Sequence, residues 1–343
     1  MGLEHLFKPR ICELGKIKIG RKSDTVRQSS SGPWRAPEKL DHFLITTLQR
    51  TKEGDLVNDD ELMTELLADN GSHDGKLRQI PVFFLGNEIE DILQSAWVCY
   101  AGKRIAAKSD GVTLTKYIDL KSGEVLKAPE EVEWKPEYAD LKDGKGVPRF
   151  KLHSTLNCVI ATRSGRWGGV YKFRTTSRIS GEQLYGSILH IKQLTGGVLR
   201  GLPLCLVVRP MQVAPDGKPT TVYVVHAELR GKDLHEIQVR SLEQKRYEVA
   251  HISDLRKADE QYRLLLKAPG ENEDDAEVGE VVDEFHPEQV ESEPMPPAGP
   301  DPLVEALTSD VDVPDDAPFP PLTDTEREHM DRTGNVPADG RLL

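Results

Sequence analysis

The 73 residues from 271 onward limit what this chain can fold into. They hold 22 Asp and Glu against three Arg, and 11 of the chain's 23 prolines. Such a composition cannot bury enough apolar surface to offset the entropy of ordering it. Residues 269–343 are therefore expected to form a disordered acidic, Pro-rich tail. Removing the tail's charges from the 57 acids and 45 bases of the whole chain leaves 35 acids and 42 bases over residues 1–270. The formal charge of −12 thus conceals a body of +7 and a tail of −19, and a basic body reopens the question of polyanionic partners that the total would close.

Other classes are set aside by pattern. No apolar run approaches the roughly 20 residues of a membrane helix, and MGLEHLFKPRICELG lacks the apolar stretch and small-residue cleavage site of a secretory signal. Phe7 and Lys8 also follow Met1-Gly2 where an acylation signal favours Ser or Thr. Cys12, Cys99, Cys158 and Cys205 form no CxxC pair, and the last three lie in apolar, strand-like runs. Buried reduced thiols in a reducing cytoplasm are the expectation, with no zinc site and no cofactor.

The body reads as α+β: a mixed, mainly antiparallel sheet with a few packed helices. Residues 1–40 read as an irregular basic arm, 41–268 as the folded body, and 119–149, polar and broken by Gly and Pro, as a loop or insertion within it. Strands are expected over 42–48 (HFLITTL), 80–85 (IPVFFL), 97–100, 112–118, 152–162 and 169–176. The hairpin is clearest where 204–213 and 220–229 flank Ala214-Pro215-Asp216-Gly217. A helix capped within Asn58-Asp59-Asp60 buries Leu62, Leu66 and Leu67, and a short helical stretch covers 88–95. Another helix begins near Ser180 with Leu184, Ile188 and Ile191 on one face and stops at Thr195-Gly196-Gly197. A polar helical segment follows Gly231 to about residue 267. Strands and helices alternate without regular βαβ spacing, which favours α+β over a doubly wound sheet.

Catalytic patterns are absent: there is no GxSxG, HExxH, P-loop or GxGxxG opening a helix, and the histidines stand singly. His42 and His226 fit hydrogen-bonded structural positions better than metal ligands. The best-defined constellation is basic and aromatic, with Arg163, Arg166, Trp167, Tyr171, Lys172, Phe173, Arg174 and Arg178 inside sixteen residues. On a strand, Lys172 and Arg174 share one face and Tyr171 and Phe173 the other. With the aromatics buried, the cations form a row suited to phosphates. With the aromatics outward, they can stack on unpaired bases. An ordinary amphipathic strand with solvated charges would look the same. The arm adds Lys16, Lys18, Arg21, Lys22, Arg35 and Lys39, a pattern that also suits an edge strand guarded by charge. In the tail, Asp315 and Asp316 precede Pro318-Phe319, as acids precede the Pro-Phe tip by which bacterial single-stranded-DNA-binding proteins recruit partners. Here Phe319 is internal, and an acidic solubilising linker would read alike. Such a tail can also fold over its own basic body and compete with DNA.

The body resembles the phage recombination directionality factor-like family, accessories of large serine integrases whose relatives are often labelled hydrolase or metal-binding protein. The resemblance rests on Gly15-Lys16-Ile17-Lys18-Ile19-Gly20, on Pro37-Glu38-Lys39-Leu40-Asp41-His42-Phe43, and most strongly on Gly168-Gly169-Val170-Tyr171-Lys172-Phe173-Arg174-Thr175-Thr176-Ser177. It continues through Lys192-Gln193-Leu194-Thr195-Gly196-Gly197 and covers roughly residues 14–230. The resemblance implies a non-enzymatic accessory that biases integrase–DNA complexes from integration towards excision. Its partners would be DNA and a serine integrase, with no membrane; self-association stays open. Where many relatives carry cysteines, this chain has Lys103-Arg104-Ile105-Ala106-Ala107-Lys108, so a metal-dependent hydrolase loses its motive. The remaining alternative is a single-stranded-DNA-binding protein of phage replication or recombination whose tail recruits replication or repair proteins.

Overall fold

The computed structural model describes residues 11–29, 32–52, 54–70, 74–101, 104–118, 125–126, 132–141, 150–164, 166–214, 219–231 and 233–271. Within them β1 (Glu13–Ser29) and β2 (Gly32–Arg50) form a long antiparallel pair, with β3 (Leu56–Asn58) on its outer edge and α1 (Asp60–Asn70) following. After β4 (Gln79–Phe83) and the single-turn α2 (Ile89–Ile92) comes a meander of β5 (Leu93–Ala101), β6 (Arg104–Ser109) and β7 (Thr113–Ile118). The two-residue strands β8 (Val125–Leu126) and β9 (Val132–Glu133) pair with β7. The chain returns through β10 (Phe150–Ile160), β11 (Val170–Thr175), α3 (Arg178–Leu194), β12 (Leu204–Val213), β13 (Thr220–Leu229), α4 (Leu234–Ala250) and α5 (Ile252–Glu271).

The fold class is the α+β arrangement that the sequence predicts. The main sheet runs β3-β2-β1-β11-β10-β5-β6-β7-β8 and is antiparallel except where β1 lies parallel to β11. At its end β10 leaves this sheet, and Val159 and Ile160 pair with β4, which carries β12 and β13. One row of side chains crosses five strands of the inner face: Ile45, Ile17, Phe173, Leu156 and Leu93. It packs in one core with Ile80 and Val82 of β4, Leu206 and Val225 of the hairpin, Leu62 and Leu66 of α1, and Leu184, Ile188 and Ile191 of α3. Each such fully buried side chain contributes about 1.5–3 kcal/mol.

Four expectations change. The supposed irregular arm is strand from Glu13 onward, because Ile17 and Ile19 alternate with lysines and enter the core at 1% and 8% exposure. Inside the supposed loop 119–149, the 3-10 turn Pro136–Asp140 brings the buried Tyr138 against Trp134. Trp134 also stacks on Trp97, with ring centres 5.8 Å apart. The helix expected over 88–95 is the four residues of α2, since Leu93 already pairs with Leu156 in the sheet. The polar helix after Gly231 is two helices broken at His251. The tail beyond Glu271, including Asp315, Asp316, Pro318 and Phe319, lies outside the described residues.

Candidate functional site

The period-2 alternation that sends Ile17 and Phe173 inward sends Lys16, Lys18, Lys172 and Arg174 to the opposite face. One row there reads Thr46, Lys16, Lys172, Asn157 across β2, β1, β11 and β10. It is well covered, with Thr46, Lys16 and Asn157 exposed by 3%, 3% and 2%. Glu13 at the start of β1 lies 3.0 Å from the Lys172 ammonium and 3.9 Å from the Arg174 guanidinium. The Thr46 hydroxyl and both amide atoms of Asn157 have no hydrogen-bond partner among the described residues. Buried polar atoms of this kind cost about 1–3 kcal/mol each when unmet.

This row is continuous with a groove of about 580 Å³ built from β1, β2, β3 and the end of β11. From β1 it receives Lys16, Lys18, Arg21 and Lys22, and from β2 Arg35, Lys39 and Arg50, with Arg174 completing eight cations. Glu38 and Asp55 are the acids of its lining. Strict alternation would send Arg21 and Lys22 to opposite faces. Both nevertheless line the groove, although they pair in unbroken register with Glu38 and Pro37. Part of the charge is locally balanced, by Arg21 with Glu38 at 3.2 Å and by Lys22 and Arg35 with Asp55 at 3.1 and 2.5 Å. Desolvation in the groove wall lowers the pKa of Lys39 even though its side chain reaches solvent. At one end Thr175, Thr176 and Ser177 lead into α3, whose N-cap Ser177 accepts a bond from the Ser180 N–H. The helix dipole adds partial positive charge there. Chemically, the groove has the equipment to hold an anionic chain.

Six expected residues of the arm, Lys16, Lys18, Arg21, Lys22, Arg35 and Lys39, therefore meet in one place with Arg174. The second expected cluster separates. Tyr171 and Phe173 are 1% and 0% exposed, so neither ring can stack on a base. Lys172 and Arg174 point away from that core, but their side chains are only 13% and 9% exposed, so they form no open cationic row. Arg166 donates to Asp59 and Arg163 pairs with Asp69. Glu65 accepts the backbone N–H groups of Arg163 and Ser164 at 2.6 and 3.1 Å and the Ser164 hydroxyl at 2.8 Å. These bonds hold the Glu65 carboxyl below the usual carboxylate range. The loop is thus fastened to α1, with Trp167 projecting at 70% exposure. Arg178 pairs with Glu182 along α3 at 2.8 Å.

Arg50 was not singled out from the sequence, although its parity with Thr46 on β2 marks it for the same face. The histidines stand in structural pairs: His42 bonds Asp41 at 2.8 Å and His226 bonds Glu228 at 2.8 Å. Cys99, Cys158 and Cys205 are buried and outside any disulfide, and burial pushes Cys158 up to about 12 and Cys205 to about 11. Among the described residues, no three His, Cys, Asp or Glu side chains gather as a metal ion would require. No helix among them is long and apolar enough to cross a membrane.

Comparison with known proteins gives one match. The model of the Gp3-like family, described as recombination directionality factor-like, matches residues 14–230. That span contains all eight cations of the groove. No curated protein and no solved structure matches the chain.

Proposed function

Since the chain belongs to the recombination directionality factor-like family, whose role is in phage recombination, we propose that it is a non-catalytic accessory acting on integrase–DNA complexes and contacting the nucleic-acid backbone through the groove of β1, β2 and β11. The observation that carries the second half is the lining, eight cations against two acids inside the matched span. A phosphate backbone gains from such a lining by releasing its condensed counterions. Directionality itself needs no reacting group: a protein that binds one arrangement of the integrase–DNA complex more tightly than another shifts the equilibrium by that difference. A serine integrase is accordingly the protein partner, and the cytoplasm of the bacterial host the place of action.

The test is recombination in vitro with the cognate serine integrase. Added full-length protein should raise excision relative to integration, and Arg21→Glu with Lys39→Glu should reduce that effect. An unchanged ratio with wild-type protein overturns the accessory role. A second reading, a single-strand-binding role, fits the size of the groove, since about 580 Å³ is the scale of a small-molecule pocket. A single-strand-binding role would show as preference for oligo-dT over duplex. The burial of Tyr171 and Phe173 leaves that role without the stacking platform that such proteins use.

A further inference from the structure

The loop between β10 and β11 carries a side chain that the groove does not use. Trp167 is 70% exposed, the most exposed of the large apolar residues among those described, and no described residue of 163–170 lines the groove. We infer that Trp167 and the first turn of α1 form the protein-docking surface of this chain, fitted to a basic partner surface with an apolar pocket for the indole. The inference rests on the proposed accessory role, in which that partner is the serine integrase.

Two observations carry it. The first is preorganisation. Single exposed apolar side chains are ordinary, but this one stands on a loop that is tied down on both sides of it. Glu65 of α1 accepts the Arg163 and Ser164 N–H groups at 2.6 and 3.1 Å, and Arg166, next to Trp167, donates to Asp59 at 2.5 Å. Beyond the ring, the Val170 N–H donates to the Cys12 carbonyl at 2.8 Å. An indole presented from such a loop needs little further ordering on binding. Trp is among the side chains that dominate protein interfaces when they fill a pocket on the partner.

The second is charge. Arg163 pairs with Asp69, Arg166 meets Asp59 and Glu61, and the Ser164 hydroxyl donates to Glu65. Asp60 adds a fifth acid at the exposed start of α1, and the Glu61 side chain is 89% exposed. Among the described residues, five carboxylates therefore stand against two guanidinium groups around the base of the loop. A phosphate backbone brought to the ring would meet that acidic excess, which disfavours stacking on a base. A protein that itself grips DNA presents basic surface, the complement of this corner. Trp167 precedes the start of β11, whose far end supplies Arg174 to the groove. With nucleic acid in the groove and protein on the Trp167 corner, one chain touches both components of an integrase–DNA complex, and its affinity then depends on how they are arranged.

The test is binding of full-length protein to the cognate integrase, free and on its attachment-site DNA, by interferometry, with oligo-dT affinity measured beside it by anisotropy. Trp167→Ala should weaken integrase binding about thirtyfold while leaving oligo-dT affinity and the thermal transition unchanged. Glu61→Lys should slow association with the integrase at about 50 mM salt, a difference that closes at about 300 mM as screening grows. Integrase affinity of Trp167→Ala equal to that of wild type overturns the inference and leaves the accessory role standing. Loss of oligo-dT affinity in Trp167→Ala, with integrase affinity kept, also overturns it and makes the indole a stacking group for bases. Failure of wild-type protein to bind the integrase in either form overturns the inference together with the accessory role.

Discussion

His153 sits on the covered polar side of β10, its ring 5.4 Å from that of Tyr100 in an edge-on contact. Burial, reinforced by the charges of Lys151, Arg174 and Lys108, lowers its pKa from 6.5 to about 4. The ring is therefore neutral in the folded protein at neutral pH. On acidification the unfolded chain takes up a proton below about pH 6.5 that the folded one refuses until about pH 4, so stability falls across that window. The loss attributable to this group is about 2 kcal/mol by pH 5. In urea titrations, His153→Gln should lose correspondingly less stability than wild type between pH 7 and pH 5. Parallel losses in the two proteins would show that the imidazole is already solvated. Nothing in the sequence marked this histidine, because its shift comes first from burial within the sheet and then from charges that include Arg174 and Lys108 of other strands. His42 and His226 are different: their carboxylate partners lie one and two residues away, and a structural role could be read directly.

At the scale of elements, Asp59 joins β3, α1 and the loop before β11. Its carboxylate accepts the Leu62 N–H at 3.1 Å, capping α1, and also accepts from Arg166, 107 residues further on. Asp59→Ala should therefore cost about 2 kcal/mol, a cap of about 1 plus the loss of a charged partner to a part-buried guanidinium. Asp59→Asn should recover the cap but only part of the loss. Equal stability of the alanine variant and wild type in thermal melts would contradict this role. The cap was legible from Asn58-Asp59-Asp60, whereas the partnership with Arg166 was not, since chain separation hides it. Two glycines of the matching motifs have a similar explanation. A Cβ on Gly15 would stand 2.3 Å from the Thr46 carbonyl oxygen, and one on Gly169 would stand 2.6 Å from that of Cys12. Gly15 permits the close approach of β1 to β2, and Gly169 that of the start of β11 to the residue before β1, whose parallel pairing sets Lys16 beside Lys172.

For the whole molecule, strand alternation carried most of what the sequence could say. It set Lys172 with Arg174 and Tyr171 with Phe173 on opposite faces of one strand before any register was known, and it supported the α+β class. It could not decide which face of 170–175 met the core, because each face offered a sensible chemistry. Packing against Phe43, 6.5 Å from Phe173 between ring centres, made that choice. Reading 1–40 as irregular failed for a related reason. Lysines among isoleucines look solvated until the β1–β2 pairing gives each parity its own side. That the neighbours Arg21 and Lys22 both line the groove leaves no trace in composition. Net charge misled most of all, since the −12 of the chain conceals a groove with eight cations.

The central claim is that this groove binds a polyanionic strand. It is tested most directly by the salt dependence of oligo-dT binding to full-length protein with and without Arg21→Glu and Lys39→Glu. Both side chains are exposed, and Arg21 makes a surface pair with Glu38, a kind of pair worth about 0–1 kcal/mol. The thermal transition should therefore scarcely move. Binding should weaken, and the slope of log K against log salt should become shallower by about 1.4, two phosphate contacts at about 0.7 each. Unchanged affinity and slope in a variant that melts like wild type would contradict the account.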